Sequence, residues 1–313
     1  GVGRHLDHRR GEAPVGQQRA YVVVPGDEPA RPAARQPQPA PRLWSATKDA
    51  RAKLGPTLLY DPDHLCDTPA RLRWSPTAGC TDRKAAETRA AALLHPVRPR
   101  ARVDAGVADT AQTLLTSWLH AAAVDNRPIT HVQRWSAASG AAHEPVKILR
   151  TAIRAAEGSA GRLESALTAH PEWRDQAQQL ITRTLSALST LHVRNSCLTN
   201  RTDSLSLESF ADEGGTLYVI GEAIEDPRRD PGALPLLTAL AADVVELGRR
   251  MAARSSTGRL DPPMSLILHD AAAVAPVPQL PDLLTTRELP VLAVLRSPEQ
   301  AQDRWPELSR TPS

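Results

Sequence analysis

Aromatic side chains are scarce: one phenylalanine, three tyrosines and six tryptophans serve 313 residues. The core therefore has to be assembled from Leu, Val, Ile and Ala. With 41% apolar residues there is enough of that material for one large domain, or for one domain carrying an insertion. Cysteine is scarcer still. Cys66, Cys80 and Cys197 are odd in number and form no C-x-x-C pair, which excludes a disulfide framework and offers no zinc spacing. His64, Cys66 and Cys80 could supply three ligands but no fourth, so no metal site is expected. Thiols of this kind suit a reduced, cytoplasmic setting. No run of about 18 apolar residues exists, so no transmembrane helix is expected, and no signal peptide is visible. A dominant charge is missing too, since 38 basic residues face 35 acidic ones. Such a balance does not by itself point to nucleic acid, which needs a concentrated basic face. Arg4, Arg9, Arg10 and Arg19, and the run Arg98-Pro99-Arg100-Ala101-Arg102, read as solvated surface.

Proline, by contrast, is plentiful, with 28 residues. It is dense from Pro29 to Pro41, where it removes amide donors and blocks both helix and central strand. Residues 1–42 therefore read as a Pro-rich linker or disordered arm, interrupted by the short strand candidate Tyr21-Val22-Val23-Val24. Residues 43–108 read as the first part of an α/β core. They hold a helix from Trp44 to Lys53, the apolar run Thr57-Leu58-Leu59-Tyr60 closed by Asp61-Pro62, and a helix over 82–94. Residues 109–200 offer no strand. Helical periodicity runs through 109–124, 128–136, 143–156, 159–169 and 172–192, with Leu114, Leu115, Trp118 and Leu119 on one face of the first. This stretch reads as an all-helical insertion. Residues 201–313 return to α/β, with strands at Thr216–Gly221, Met264–Leu268 and Val291–Leu295 and a long helix over 234–254. The fold class expected is α/β, a parallel sheet with crossover helices.

Ligands of open parallel sheets sit at the carboxyl ends of the strands. Asp61, Gly221, Asp270 and Arg296 occupy those ends. Asp270 follows four apolar strand residues, Leu266-Ile267-Leu268 among them. An acid there can hold the water shell of a magnesium ion beside a nucleotide. It can equally cap the next turn, and the pattern alone does not choose.

The segment from Gly258-Arg259-Leu260-Asp261-Pro262-Pro263-Met264 through Asp270-Ala271-Ala272-Ala273-Val274-Ala275-Pro276-Val277-Pro278-Gln279-Leu280-Pro281 resembles the Walker B region of TraG/TraD-type conjugative coupling ATPases of type IV secretion. The likeness is to the actinobacterial branch in particular, some members of which carry the label type VI secretion protein. Three further pieces resemble the family in the same order: Gly55–Pro62, Leu72-Arg73-Trp74-Ser75-Pro76-Thr77-Ala78-Gly79-Cys80, and Glu213–Gly221. The likeness spans about residues 43 to 305. It implies a RecA-like, P-loop NTPase-type core, ATP and Mg as cofactors, DNA and secretion or conjugation proteins as partners, a homo-oligomer, and a place in the cytoplasm or against the inner face of the cell membrane.

Three departures bear on activity. A hydrolysing member needs a G-x-x-x-x-G-K-[ST] loop, whose amides and Lys hold the phosphates. The stretch after Val24 is instead Pro25-Gly26-Asp27-Glu28-Pro29-Ala30-Arg31-Pro32, with one Gly, no Lys and two acids. The family's Walker B glutamate is replaced by Ala271, and loss of a positioned base costs on the order of 10²–10⁴-fold in rate. The family's Gln is replaced by Arg296, which reads either as a phosphate contact or as a surface cation. Asp270 and Arg296 are thus the residues of a degenerate nucleotide and magnesium site. Arg249, Arg250 and Arg254 are candidates for arginines reaching a neighbouring subunit, or for simple partners of a helix C-terminal dipole.

Three readings stay open: a non-hydrolysing ATPase-like subunit that binds DNA or a partner; an active DNA-translocation ATPase subunit whose phosphate loop is missing from this chain; and a non-nucleotide scaffold or mis-framed product. The chain begins with Gly rather than Met, so the N-terminus is expected to be genuine, truncated or mis-framed without the sequence choosing among them.

Overall fold

The computed structural model describes residues 20–24, 42–137, 143–199, 207–256, 260, 263–286 and 288–310. The Pro-rich stretch and the segment where the family resemblance puts the phosphate loop, 25–41, lie outside the described residues. So does most of the stretch Gly258–Pro262 that opens the Walker B-like segment.

Five strands form one parallel sheet. They are β1 (Ala20–Val24), β2 (Thr57–Tyr60), β3 (Thr216–Val219), β4 (Met264–Leu268) and β5 (Val291–Ala293), in the order β2-β3-β1-β4-β5. Period-two alternation divides their side chains. Leu59, Tyr218 and Ile220 turn to one face, beneath α1 (Arg42–Ala52), whose Leu43 and Trp44 cover them. Tyr60, Leu217, Val219, Leu266 and Leu268 turn to the other face and enter the main core. Above that face lie α2 (Arg83–Leu94) and α10 (Leu234–Arg254), which pack on each other.

All described elements between α2 and β3 are helical. They are α3 (Ala105–Val124), α4 (Ile129–Ala137), α5 (His143–Thr151), α6 (Ser159–Thr168), α7 (Pro171–Thr184), α8 (Leu191–Ser196) and α9 (Leu207–Asp212), with short 3₁₀ turns between some of them. The chain closes with α11 (Ala271–Val274), α12 (Leu280–Thr286) and α13 (Pro298–Arg304). None of the described helices is long and apolar enough to cross a membrane.

Helix α3 differs from its sequence pattern. A one-sided apolar face was expected, yet every residue from Leu114 to Val124 is buried. Alanines at 121, 122 and 123 let helices close in on the side away from the leucines, so α2, α4, α5, α6 and α7 all pack on it. The helix expected over 172–192 breaks after Thr184 into a 3₁₀ turn at Ser186–Ser189 and then α8. Hydroxyls there bond back to the chain, Thr184 Oγ1 to the Leu180 carbonyl and Ser189 Oγ to the Ser186 carbonyl, in competition with helical continuation. The strand expected over 291–295 is shorter and lies at the sheet edge, where Leu292 and Val294 are exposed on the face that α1 covers only over β2 and β3.

Candidate functional site at the carboxyl edge of the sheet

Strand order decides where a ligand site belongs. The chain leaves β1 for β2 on one side of the sheet and leaves β4 for β5 on the other. The order therefore reverses between β1 and β4, and the crevice beyond their carboxyl ends is the topological switch point. Asp270 stands at that point. Met264, Leu266 and Leu268 of β4 are anchored in the core, and the backbone then turns through Asp270 at φ 56 and ψ 43, in the left-handed region. A non-glycine residue held there stores on the order of 1 kcal/mol of strain, which is found where the surroundings enforce it.

The carboxylate of Asp270 does not cap the short helix that follows; the backbone carbonyl does that, accepting from the Ala273 and Val274 amides at 3.0 and 3.1 Å. Its Oδ2 instead accepts a hydrogen bond from Arg296 Nη2, and Arg296 Nη1 donates to Glu225. The pairing follows from the backbone. Beyond β5 the ladder continues, with Val294 N donating to the Leu268 carbonyl at 2.8 Å and Ala271 N to the Val294 carbonyl at 3.1 Å. Those bonds bring the ends of β4 and β5 together, so the side chains two residues further on meet. Asp270 is 4% exposed, and its Oδ1 is buried with no hydrogen bond among the described residues. Burial pushes the carboxyl above its ordinary pKa, against the opposing pull of the Arg296 guanidinium.

Ala271 is 0% exposed, and with Ala272, Ala273 and Val274 it sits in the core. Its side chain is part of the main apolar core. The other strand ends serve packing. Asp61 accepts from the Leu65 and Cys66 amides at 2.9 and 2.8 Å and from Arg71 Nε at 3.4 Å, so it holds the turn after β2. Gly221 gives the first turns of α10 room, because a Cβ there would lie 2.1 Å from Leu237 Cδ1.

The arginines of α10 are elsewhere. That helix starts beside Gly221 at the carboxyl edge and ends where Gly248 meets Met264 and Leu289, at the amino edge of the sheet. Arg249, Arg250 and Arg254 are thus separated from Asp270 and Arg296 by roughly 20 Å of helix rise. Arg249 is bound to three carboxylates, Glu246 at 3.2 Å, Glu288 at 2.9 Å, and Asp282. Arg250 lines a cleft of about 140 Å³ between α2 and α10 with Asp82, Asp243 and Glu246. Arg254 lies in the last turn of the helix.

Sequence reasoning missed Glu225, the second partner of Arg296. Nothing in the pattern distinguishes it from Glu222 or Asp226, and only the loop anchored by Ile224 N on the Ala273 carbonyl, at 2.8 Å, brings it in. Also missed was the ion pair of Arg89 with Asp243 at 2.6 Å. Arg89 stacks 4.7 Å over Trp74 and donates to the Pro76 carbonyl, so the Trp-Ser-Pro segment is a docking seam for α2 and α10. Cys66, Cys80 and Cys197 are buried and in no disulfide, and among the described residues no three His, Cys, Asp or Glu side chains gather as metal ligands.

No family model matches the sequence, and no curated protein matches it. Solved structures do match. An unbound form of the bacterial conjugative coupling protein TrwB, lacking an N-terminal segment, superposes with a TM-score of 0.54 at 17% identity, covering 92% of this chain. A second structure, plasmid coupling protein TrwB in complex with the non-hydrolysable GTP analogue GDPNP, gives a TM-score of 0.49 at 16% identity over 92% of this chain and 66% of that one. This chain spans 65% of the length of the unbound TrwB structure. Across nearly all of its own length, then, the chain has the fold of a conjugative coupling protein.

Proposed function

We propose that this chain is a degenerate, ATPase-like relative of conjugative coupling proteins, a DNA- or partner-binding subunit of a transfer or secretion assembly that does not hydrolyse ATP unaided. On this reading 43–108 and 201–313 form a RecA-like core together with β1, which lies between their strands, 109–200 is a helical insertion, and the rest of 1–42 is an arm. The observation that carries the reading is the engagement of Asp270 by Arg296, whose other Nη is held by Glu225. A magnesium ion beside a nucleotide needs carboxylate oxygens facing a water shell in near-octahedral array. Here a fixed guanidinium occupies one Asp270 oxygen and repels a divalent cation. Position 271 carries no base and is enclosed in the core. The donor set does not fit Mg-ATP, and no hydrolytic step is derived from it.

One observation favours the alternative of an active subunit that works with a phosphate loop from elsewhere: Asp270 Oδ1 is buried with no hydrogen bond among the described residues. Calorimetric titration of Mg-ATP separates the two. No binding at millimolar ATP is expected for the native chain. Micromolar, magnesium-dependent binding that disappears in Asp270→Ala would overturn the non-hydrolysing reading. Ala271→Glu is expected to restore no turnover and to lower stability, because it places a carboxylate in the core. In a homo-oligomer, Arg250 at the amino edge is better placed than Arg249 to reach a neighbour, since Arg249 is bound to three acids of its own chain.

A further inference from the structure

The run Arg98-Pro99-Arg100-Ala101-Arg102 reads as ordinary surface in the sequence, but the fold gives Arg100 company. Two segments distant in sequence, and the neighbouring Arg304, converge on Asp303. Arg100 Nη1 comes from the loop after α2 and Arg228 Nη2 from the loop after β3, each 3.1 Å from Asp303 Oδ1. Arg304 Nη1, from α13 itself, lies 2.6 Å from Oδ2. Arg304 is buried and fixed, donating to the Ala272 carbonyl at 2.9 Å and the Glu225 carbonyl at 3.2 Å. Arg228 is held by its backbone, whose carbonyl accepts from Arg183 Nη1 at 2.9 Å. The cluster therefore shares Glu225 with the Asp270 group, and both stand at the carboxyl edge of the sheet.

Three guanidiniums against one carboxylate leave two positive charges unmatched at contact distance. Glu225, Asp226 and Glu307 lie further off and temper that excess, and Glu225 is itself bound to Arg296. Neighbouring groups register the field. Burial, then the charges of Arg100, Arg304 and Arg98, hold the adjacent His95 imidazole down at about 4. Arg100 and Arg228 each spend a single Nη on Asp303, so the rest of each planar fork makes no hydrogen bond among the described residues. Forks of this kind match a tetrahedral oxyanion, which accepts paired N–H donors from more than one guanidinium. Their side chains are 26% and 46% exposed, so an anion can reach them from solvent.

We propose that Arg100, Arg228 and Arg304 form a phosphate-group site, separate from Asp270, in which Asp303 is the internal placeholder for the anion. The phosphate comes either from a polynucleotide backbone or from a free phosphate compound. The first source rests on the DNA-binding reading above, while the second does not.

The test titrates the whole chain with inorganic phosphate and, separately, with a short single-stranded oligonucleotide over a range of salt. Three forms are compared: native, Arg100→Gln with Arg228→Gln, and Asp303→Asn. The double variant should bind phosphate about tenfold more weakly, and Asp303→Asn should bind it several-fold more tightly. Changes of opposite sign cannot both come from damaged folding. If a polynucleotide is the source, its log–log salt slope should shrink by about 1.4 in the double variant, since each lost contact removes about 0.7 for a single strand. Phosphate affinity unchanged in both variants overturns the site. Oligonucleotide binding by the native chain with a slope unmoved in the double variant overturns the polynucleotide as source, yet leaves the DNA-binding reading standing.

Discussion

At the scale of single residues, buried histidines do structural work that their spacing did not disclose. His120 is 1% exposed in α3. Its Nδ1 donates to the Cys80 carbonyl at 2.8 Å, and its Nε2 accepts from the Ala156 amide at 2.9 Å. One imidazole thereby ties the loop before α2 and the segment after α5 to the central helix. Replacing it with Ala orphans a buried carbonyl and a buried amide, so His120→Ala should lose about 2–4 kcal/mol in denaturant unfolding; a loss below about 0.5 kcal/mol would show that the clamp is not structural. His95 makes a different prediction. Its pKa is lowered in the fold from 6.5 to about 4, by burial first and then by the arginines around it. The unfolded chain takes up the proton at higher pH than the folded one, so stability rises with pH between those values. The contribution is complete above about pH 6.5, declines as pH falls, and is gone near pH 4. It amounts to at most about 3 kcal/mol at 1.36 kcal/mol per unit, and less to the degree that solvent reaches the ring. Melting temperatures of native chain and His95→Gln between pH 4 and 7.5 should diverge toward the acid end, the native chain falling faster. Parallel curves would refute it.

At the scale of elements, close approaches set which pieces can join. Gly55 lies in the turn between α1 and β2, where an added Cβ would meet the backbone carbonyl oxygens of Glu213 and Gly214 at 2.9 Å each. Neither oxygen can swing aside as a flexible side chain could. Gly55→Ala should therefore push the β2 and β3 loops apart and cost about 1–3 kcal/mol, read as a lower denaturant midpoint with little change in slope. An equal or higher midpoint would mean that the two loops yield freely. The strands β2, β3 and β4 were legible because continuous or alternating apolar runs closed by turn residues leave few other options. The break in α7 was not, since apolar periodicity continues through Leu185 and Leu188, both buried at 1%. Hydroxyl-to-carbonyl bonds at 184 and 189 change the backbone path without disturbing that pattern.

At the scale of the whole molecule, the sheet order separates two groups of arginines that the sequence treats alike. Arg296 and Arg304 lie at the carboxyl edge with Asp270 and Asp303, whereas Arg249 and Arg250 lie toward the amino edge, facing other acids. The sequence by itself determined the parallel α/β class, a helical stretch between two strand regions, and the placing of Asp270 and Arg296 at strand ends. Each follows from local periodicity and from the polar residue that halts it. It also sufficed to single out the missing phosphate-loop pattern and the alanine at 271. Only the tertiary structure decided that Asp270 binds Arg296 rather than capping a turn, that Glu225 completes the pair, and that Ala271 faces the core. It alone gathered Arg100, Arg228 and Arg304 on Asp303. The reason is physical: periodicity records which side of an element is buried, while charge pairing depends on which loops a crossover brings side by side. Residues as far apart as 100 and 303 become neighbours only once the sheet order is set.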